Sequence, residues 1–120
     1  MIDVKLIKKI IKETDGIFFD DNLRKDVFVK GDSDFVTKVD LSISDFLKNK
    51  LKELFPNILF QSEEEPFNIM EGKDYWILDP IDGTTNFMLG RRASCISVGL
   101  LKNKKPVYGA IYDPYSNRMA

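Results

Sequence analysis

Apolar residues recur at spacings of three and four along residues 4–18, and lysines fill many of the positions between them. This is the spacing of one face of an α-helix, so it predicts an amphipathic helix with its lysines turned to solvent. We interpret these lysines as a solvated helix face rather than as a binding patch. The run Asp20, Asp21, Asn22 interrupts the pattern and is predicted to end the helix. The positions of the predicted buried face are Val4, Ile7, Ile10, Ile11, Thr14, Ile17 and Phe18.

A second helical pattern follows the short, partly β-branched run at residues 35–37. Thr37, with Asp40 three residues later, has the spacing of an N-terminal capping arrangement, and Pro56 is predicted to end the helix. Asp40 then lies in the first helical turn, where the helix dipole favours a carboxylate. The predicted buried stripe consists of Ile43, Phe46, Leu47, Leu51, Leu54 and Phe55.

Short apolar runs between turn-forming residues predict the strands. Residues 75–78 are aromatic and apolar throughout, so this strand is predicted to be central in its sheet. A short polar turn separates residues 93–101 from residues 106–112, which are predicted to pair as a hairpin. Residues 118–120 begin a further strand with an unpaired edge, so we interpret the chain as a fragment or one half of a larger fold. The other predicted strands are residues 27–30 and a buried strand at 58–60.

Composition excludes several classes of function. The 18 basic and 19 acidic residues among 120 give a net charge of −1, without the basic surface expected of a nucleic-acid binder. No apolar run approaches the roughly 20 residues that cross a bilayer, and the N-terminus does not resemble a signal peptide. The one cysteine, Cys95, excludes an internal disulfide and a thiolate zinc site and suits a reducing cytoplasm. Because histidine is absent, catalysis must use carboxylates, lysine, hydroxyls, backbone groups or water.

Three carboxylates follow two of the apolar strands. Asp79 comes at the end of the central strand, Asp82 follows it on the same predicted loop, and Glu63 follows the strand at 58–60. Carboxylates, with the Ile81 carbonyl between two of them, are hard oxygen ligands of the kind that Mg²⁺ prefers. Glu63 could share one ion with Asp79, and two ions bridged in this way clamp a phosphate and lower the pKa of a bound water.

The residues after Asp82 complete a candidate phosphate site. Gly83 and Thr84 open a short helix whose free backbone N–H groups would bind an anion. The Thr84 hydroxyl can orient an attacking water, with Asp40 as its acceptor and base. The combination of an acidic loop after an apolar strand and a helix start directly behind it favours a two-metal phosphate site.

Each of these features also has an ordinary structural explanation when it is taken alone. Residues 79–83 read as a common turn sequence, and residues 63–65 as a solvated charge run. Asp40 alone would be a helix-start residue, and Thr84 alone an N-cap.

Residues 76–87 read Trp-Ile-Leu-Asp-Pro-Ile-Asp-Gly-Thr-Thr-Asn-Phe. This run resembles the first signature of the inositol monophosphatase family of lithium-sensitive, Mg²⁺-dependent phosphatases, and it matches without a gap. Two weaker elements precede it in family order: residues 34–40 match a Val-Thr-x-x-Asp element, and residues 62–64 match a Gly/Ser-Glu-Glu element. The predicted strands downstream also follow in family order, so the resemblance covers nearly all of the chain.

The resemblance implies a role for each matching residue at the metal centre. Glu63, Asp79 and the Ile81 carbonyl resemble ligands of the first metal, and Asp79 and Asp82 resemble ligands of the second. We also expect Asp82 to contact the substrate.

Further roles concern the reacting water and the phosphate. Asp40 and Thr84 match the pair that activates the nucleophilic water, with Glu63 assisting. The backbone amides of Gly83 and Thr84 would hold the phosphate. Lys30 approximately matches a substrate-binding lysine that precedes the Val-Thr-x-x-Asp element, and an exposed lysine at a strand end is an equal alternative.

The fold implied by the resemblance is α+β. It is the N-terminal half of a layered αβαβα sugar-phosphatase fold, with two helices packed on a largely antiparallel sheet. Family members are considerably longer, and their second half supplies another metal-binding aspartate in a Trp-Asp-x-Ala-Ala-like motif. Residues 1–120 contain no such motif, so we expect them to form an incomplete N-terminal metal-binding domain.

The expected function is a Mg²⁺-dependent phosphomonoesterase that uses metal-activated water on a small phosphorylated polyol or sugar. Thr85 favours inositol monophosphate or fructose-1,6-bisphosphate, since lysine is more common there in nucleotide and histidinol phosphate phosphatases, which remain the alternative within the superfamily. The alternative outside enzymes is a truncated, non-catalytic module for metal binding or dimerisation. From the resemblance we also expect inhibition by lithium, a homodimer, a cytoplasmic location, and neither nucleic-acid nor membrane partners.

Overall fold

The N-terminal amphipathic stretch forms two helical segments rather than one, and a third short helix follows it. The computed structural model describes residues 3–25, 27–31, 34–62, 72–82 and 94–120. Asp3 caps the first helix by accepting a hydrogen bond from the Leu6 N–H at 3.1 Å. Asp20 accepts from the N–H groups of Asn22 and Leu23, so the acidic run that was predicted only to end a helix also starts another. The segments are α1 (Val4–Lys12), α2 (Asp15–Phe18) and α3 (Asp21–Arg24).

A two-stranded sheet precedes the longest helix. Strands β1 (Val27–Gly31) and β2 (Asp34–Thr37) pair antiparallel, and helix α4 (Lys38–Leu54) starts at the next residue. The predicted start after Thr37 is therefore confirmed, and the helix ends two residues before Pro56, which cannot continue it.

The buried stripe of α4 agrees with the prediction except at its last turn. Ile43, Leu47 and Leu51 are buried, but Leu54 is 41% exposed, so its predicted burial is wrong. Phe55 instead packs against Trp76 of the sheet, with ring centroids 5.7 Å apart. The larger aromatic ring covers the sheet at this end, which leaves Leu54 at the surface.

Five strands form the main sheet, in the order β3-β4-β5-β6-β7. The β3–β4 pair is parallel and the other pairs are antiparallel, which agrees with the predicted, largely antiparallel sheet and with the α+β class. Strand β4 has a neighbour on each side, so its predicted central position is confirmed. The strands are β3 (Leu59–Ser62), β4 (Asp74–Asp82), β5 (Cys95–Lys102), β6 (Lys105–Asp113) and β7 (Arg118–Met119).

The predicted hairpin joins β5 to β6 through a two-residue turn. Asn103 and Lys104 have φ angles of 49° and 67°, the left-handed values that a twisted two-residue hairpin requires. Leu59 of the edge strand β3 is 41% exposed, so the prediction of a buried strand at 58–60 is wrong for this residue. It lies at the end of the strand order, where fewer elements cover a side chain.

The hydrophobic core lies between the helices and one face of the sheet. Alternate residues of the central strands point into it, as the two-residue period of a strand requires. Within the described part of the chain, no helix is long and apolar enough to span a membrane. The strand residues buried in the core are Trp76, Leu78, Ile96, Val98, Leu100, Ala110 and Tyr112, and the helical ones are Ile7, Ile10, Ile11, Phe18, Val39, Ile43, Leu47 and Leu51.

Candidate metal and phosphate site

The candidate site is built around the carboxyl end of the central strand β4. Trp76 and Leu78 are buried in the core on the helix side of the sheet. Asp79 is the next residue after Leu78, so strand alternation turns it to the opposite face, where it is half-buried. The apolar residues anchor the strand and thereby hold Asp79 at a defined position on the sheet.

Asp79 and Asp82 lie on a continuous but irregular strand, not on the loop that was predicted. Asp79 is opposite Ser97 and Asp82 is opposite Cys95, so three steps along β4 match two steps along β5. One extra residue on one strand is the signature of a β-bulge. Pro80 falls inside this irregular segment, where its missing N–H removes no regular ladder hydrogen bond.

The bulge has a direct consequence for the two aspartate positions. Residues three apart on a regular strand fall on opposite faces of the sheet. Ser97 and Cys95 are two apart on β5 and therefore share a face. Because β4 has one extra residue here, positions 79 and 82 are opposite two β5 residues that share a face. In a regular strand the two positions would fall on opposite faces.

The parallel strand β3 ends beside the same edge of the sheet. Its last residue, Ser62, is opposite Leu78, the residue before Asp79. Because the two strands run in the same direction, β3 ends beside the point where β4 reaches Asp79. Glu63 follows Ser62 directly in sequence and lies outside the described residues.

Asp40 lies in the first turn of α4 and is only 3% exposed. The junction between β2 and α4 sets its position, since Thr37 ends the strand and Asp40 is the third residue of the helix. The partial positive charge at a helix N-terminus stabilises a carboxylate there. The structure thus confirms the helix start and adds burial, which is uncommon for an aspartate.

Lys30 lies near the end of strand β1. Val29 is opposite Phe35 and Gly31 is opposite Asp34, so Lys30 occupies the irregular step between two regular pairs. The predicted strand is confirmed, and the irregularity is a feature that the sequence did not indicate.

The described residues include only part of the predicted constellation. The side chains of Asp40 and Asp79 are described, and for the strand residues Lys30, Ile81 and Asp82 only the backbone is. Within these ranges no group of three or more histidine, cysteine, aspartate or glutamate residues could hold a metal ion. The predicted residues outside the described ranges are Glu63, Gly83 and Thr84.

The donor chemistry at the end of β4 fits a hard cation. Asp79 and Asp82 are carboxylates, the backbone supplies carbonyl oxygens, and the chain has no histidine. Mg²⁺ prefers such oxygen ligands, whereas zinc sites use nitrogen and sulfur. The residues would therefore suit Mg²⁺ better than a softer metal.

Two hydroxyl residues of the site were missed by sequence reasoning. Ser97 is half-buried and faces Asp79 across the strand pair. Ser94 is buried just before β5, and its hydroxyl has no hydrogen-bond partner among the described residues. Neither could be found without the strand register, since serine at the start of an apolar strand has no pattern of its own.

Comparisons with known proteins indicate the same family as the sequence of residues 76–87. The model of the inositol monophosphatase family matches residues 1–120. An inositol monophosphatase from Mesembryanthemum crystallinum is 41% identical over 101 residues, which are 81% of this chain and 37% of that protein. The chain thus spans well under half the length of this curated relative.

Solved structures show the same fold. The extragenic suppressor protein suhB from Bartonella henselae superposes with a TM-score of 0.85 at 27% identity, covering 96% of this chain and 46% of that one. An IMPase/NADP phosphatase complexed with Mg²⁺ and phosphate superposes with a TM-score of 0.81 at 28% identity, covering 96% and 45%. The fold implied by the signature is confirmed, and the chain belongs to the inositol monophosphatase family.

Proposed function

We propose that the whole protein is a Mg²⁺-dependent phosphomonoesterase that hydrolyses a small polyol or sugar phosphate. Membership of the inositol monophosphatase family supports a phosphoric monoester hydrolase. The metal, the substrate class and the residue roles are our proposal. The observation that carries them is the bulge in β4, which puts the positions of Asp79 and Asp82 in register with one face of the sheet.

Residues at and just after the ends of the two parallel strands would hold the metal. Asp79, Glu63 and the Ile81 carbonyl would bind one ion, and Asp79 and Asp82 a second. Glu63 follows Ser62 directly in sequence, and Ser62 is opposite Leu78, the residue before Asp79. When bound, the ions would supply an acidified water and neutralise charge on the phosphate. The similar structure complexed with Mg²⁺ and phosphate supports this assignment.

Asp40 and Thr84 would handle the proton of the attacking water. Asp40 would accept a proton through the Thr84 hydroxyl, with Glu63 assisting, and its burial would keep this carboxylate in one orientation. The backbone N–H groups of Gly83 and Thr84 would bind phosphate oxygens. Lys30 would neutralise charge on the substrate from the β1–β2 hairpin.

The identity of the substrate rests on weaker support. Thr85 favours a polyol or sugar phosphate. One solved structure similar to this chain is named an IMPase/NADP phosphatase, so a nucleotide substrate is the alternative.

We propose that residues 1–120 are the N-terminal metal-binding domain and that a second half supplies the rest of the substrate pocket. We also propose that the whole protein is a homodimer inhibited by lithium. Phosphate release from inositol-1-phosphate, fructose-1,6-bisphosphate and NADP, measured in parallel with and without LiCl, would rank these substrates.

Two substitutions on the same strand test the metal assignment. Asp79→Asn should lower Mg²⁺-dependent phosphate release by about 100-fold or more, because it removes a shared ligand. Asp74→Asn at the other end of β4 is the matched control and should leave release unchanged. Calorimetric titration with Mg²⁺ separates the enzyme from the alternative of a non-catalytic metal-binding module, since that module would bind Mg²⁺ without releasing phosphate. Equal activity of the Asp79→Asn and unsubstituted proteins would reject the metal site.

A further inference from the structure

Helix α1 carries a row of lysines on the face opposite its buried isoleucines. At about 100° of rotation per residue, the side chains of the row fall within an arc of roughly 100° around the helix axis. None of these side chains has an ion-pair or hydrogen-bond partner among the described residues. They line one open groove of about 500 Å³ along the helix. The members of the row are Lys5, Lys8, Lys9 and Lys12.

The lysine row opposes the stability of its own helix. Lysines three or four positions apart repel each other, and every member of the row has two such neighbours. The helix dipole favours Lys9 and Lys12 in the last turn but not Lys5 and Lys8. Glu13 also lines the groove, but it follows Lys9 by four positions, which is the weaker orientation for a helical ion pair. The repulsion therefore has little compensation within the helix, and a feature that breaks a local rule in this way is expected where a protein binds something.

The length of the row and its surroundings define the class of ligand. Lys5 and Lys12 are seven residues apart, which is about 10 Å along the helix axis. A linear oligophosphate can place anionic groups along such a row, whereas one orthophosphate reaches only neighbouring lysines. The apolar face of α1 is buried in the core, so the helix has no free apolar face with which to enter a bilayer. We propose that the groove binds a linear oligophosphate such as tripolyphosphate, with Lys5 and Lys12 near its two ends.

This groove is distinct from the proposed catalytic site. Helix α1 packs on the core side of the sheet, whereas Asp79 lies on the opposite face. Binding in the groove needs neither the metal nor its ligands, so a failure here would leave the phosphatase assignment intact. The sequence alone favoured a solvated face for these lysines, because the groove and the missing ion-pair partners become visible only in the structure.

Calorimetric titration of the Mg²⁺-free 120-residue chain at low ionic strength tests the proposal. Tripolyphosphate should bind with a dissociation constant of about 1 mM or lower, since several weak charge pairs then form on one ligand. Orthophosphate should bind at least about tenfold more weakly, because it engages only part of the row. No binding of tripolyphosphate up to about 10 mM, or equal binding of the two anions, would overturn the proposal.

Two double substitutions with the same change of net charge localise the binding. Lys5→Gln combined with Lys12→Gln removes both ends of the row and should weaken tripolyphosphate binding by about fivefold to tenfold. Lys50→Gln combined with Lys52→Gln on α4 is the matched control and should change it by less than about twofold. All four side chains lie outside the core, so both variants should fold, which thermal melting curves would check.

Two outcomes of this comparison would reject the groove. Equal weakening by both double variants would mean a general effect of net charge. Unchanged binding in the α1 variant would place the anion elsewhere, for example at the proposed phosphate site after β4.

Discussion

Asp79 lies directly opposite Ser97 across the antiparallel pair of β4 and β5. Both residues are half-buried, and both lie on the face of the sheet that points away from the helices. Side chains directly opposite each other on one face of an antiparallel pair are close enough to interact. A hydroxyl beside a metal-binding carboxylate can fix its orientation by donating a hydrogen bond to the oxygen that does not bind the metal.

We therefore predict that Ser97 positions Asp79. Ser97→Ala should raise the Mg²⁺ concentration for half-maximal phosphate release by about tenfold, while Ser97→Thr, which keeps the hydroxyl, should restore it. Ser44→Ala, a half-buried serine on α4, is the control and should have no effect. A change in stability without a change in Mg²⁺ dependence would show that Ser97 has only a structural role.

Asp40 gives a second prediction that separates chemistry from folding. Asp40→Asn should lower kcat by about 100-fold or more if this carboxylate is the base. The free energy of unfolding should change much less than the activation free energy, because the asparagine amide has nearly the same shape and still fits the first turn of α4. Asp45→Asn, on an exposed position of the same helix, should affect neither quantity. Retained kcat in the Asp40→Asn variant would exclude its role as base.

The sequence predicted candidate site residues but not the backbone geometry around them. The motif at residues 76–87 predicts Asp79 and Asp82 as metal ligands, which stays a prediction, whereas the predicted place of Asp40 in the first turn of α4 is confirmed. The bulge could not be predicted, because it depends on the register between β4 and β5, two strands that are far apart in sequence. The partnership with Ser97 depends on the same register, so it too became visible only in the structure.

Helical periodicity likewise located α4 but overstated its buried stripe. The spacing of three and four residues is the same for Leu47 and Leu54, yet one is fully buried and the other 41% exposed. Periodicity reports which side of a helix is apolar, whereas burial also requires a neighbour at the same height. At this end of α4 the neighbour is Trp76, and the residue that contacts it is Phe55 rather than Leu54.

This difference predicts unequal effects of two identical substitutions. Leu47→Ala should lower the free energy of unfolding by about 2–5 kcal/mol, because it leaves a cavity in the core. Leu54→Ala should lower it by less than about 1 kcal/mol, since the side chain already meets water. Urea denaturation of both variants checks the order, and equal losses would contradict the assigned packing of α4.

Tyr112 links the sheet to the N-terminal helices. Its hydroxyl donates a hydrogen bond to Asp15 of α2 at 2.7 Å, and it lies 3.2 Å from the Asn117 side-chain oxygen. Burial, and then the bond to Asp15, raise the pKa of Tyr112 well above its ordinary value. Loss of the bond in Tyr112→Phe should cost about 1–2 kcal/mol of stability near neutral pH.

The raised pKa of Tyr112 also predicts a dependence on pH. Above about pH 10, the tyrosine ionises in the unfolded chain while the folded state keeps it protonated, so the unfolded state gains stability. The free energy of unfolding should therefore fall more steeply with rising pH in the unsubstituted protein than in Tyr112→Phe. Lysine titration is common to both proteins and cancels in the comparison. Parallel slopes in denaturant titrations at several alkaline pH values would contradict this assignment.

The turn between β5 and β6 offers a stabilising substitution. Lys104 has a φ of 67°, a left-handed conformation that costs free energy for a residue with a Cβ and none for glycine. Asn103 tolerates this conformation, and its side chain also accepts a hydrogen bond from the Gly72 N–H at 3.0 Å. Lys104→Gly should therefore raise the free energy of unfolding by about 0.5–1 kcal/mol, because asparagine followed by glycine is the favoured pair for this turn. Lys102→Gly, at the last residue of strand β5, should lower it, since glycine is unfavourable in a strand and loses more conformational entropy on folding. Thermal melting of the two variants should thus shift in opposite directions, and a shift in the same direction would contradict the backbone conformation of the turn.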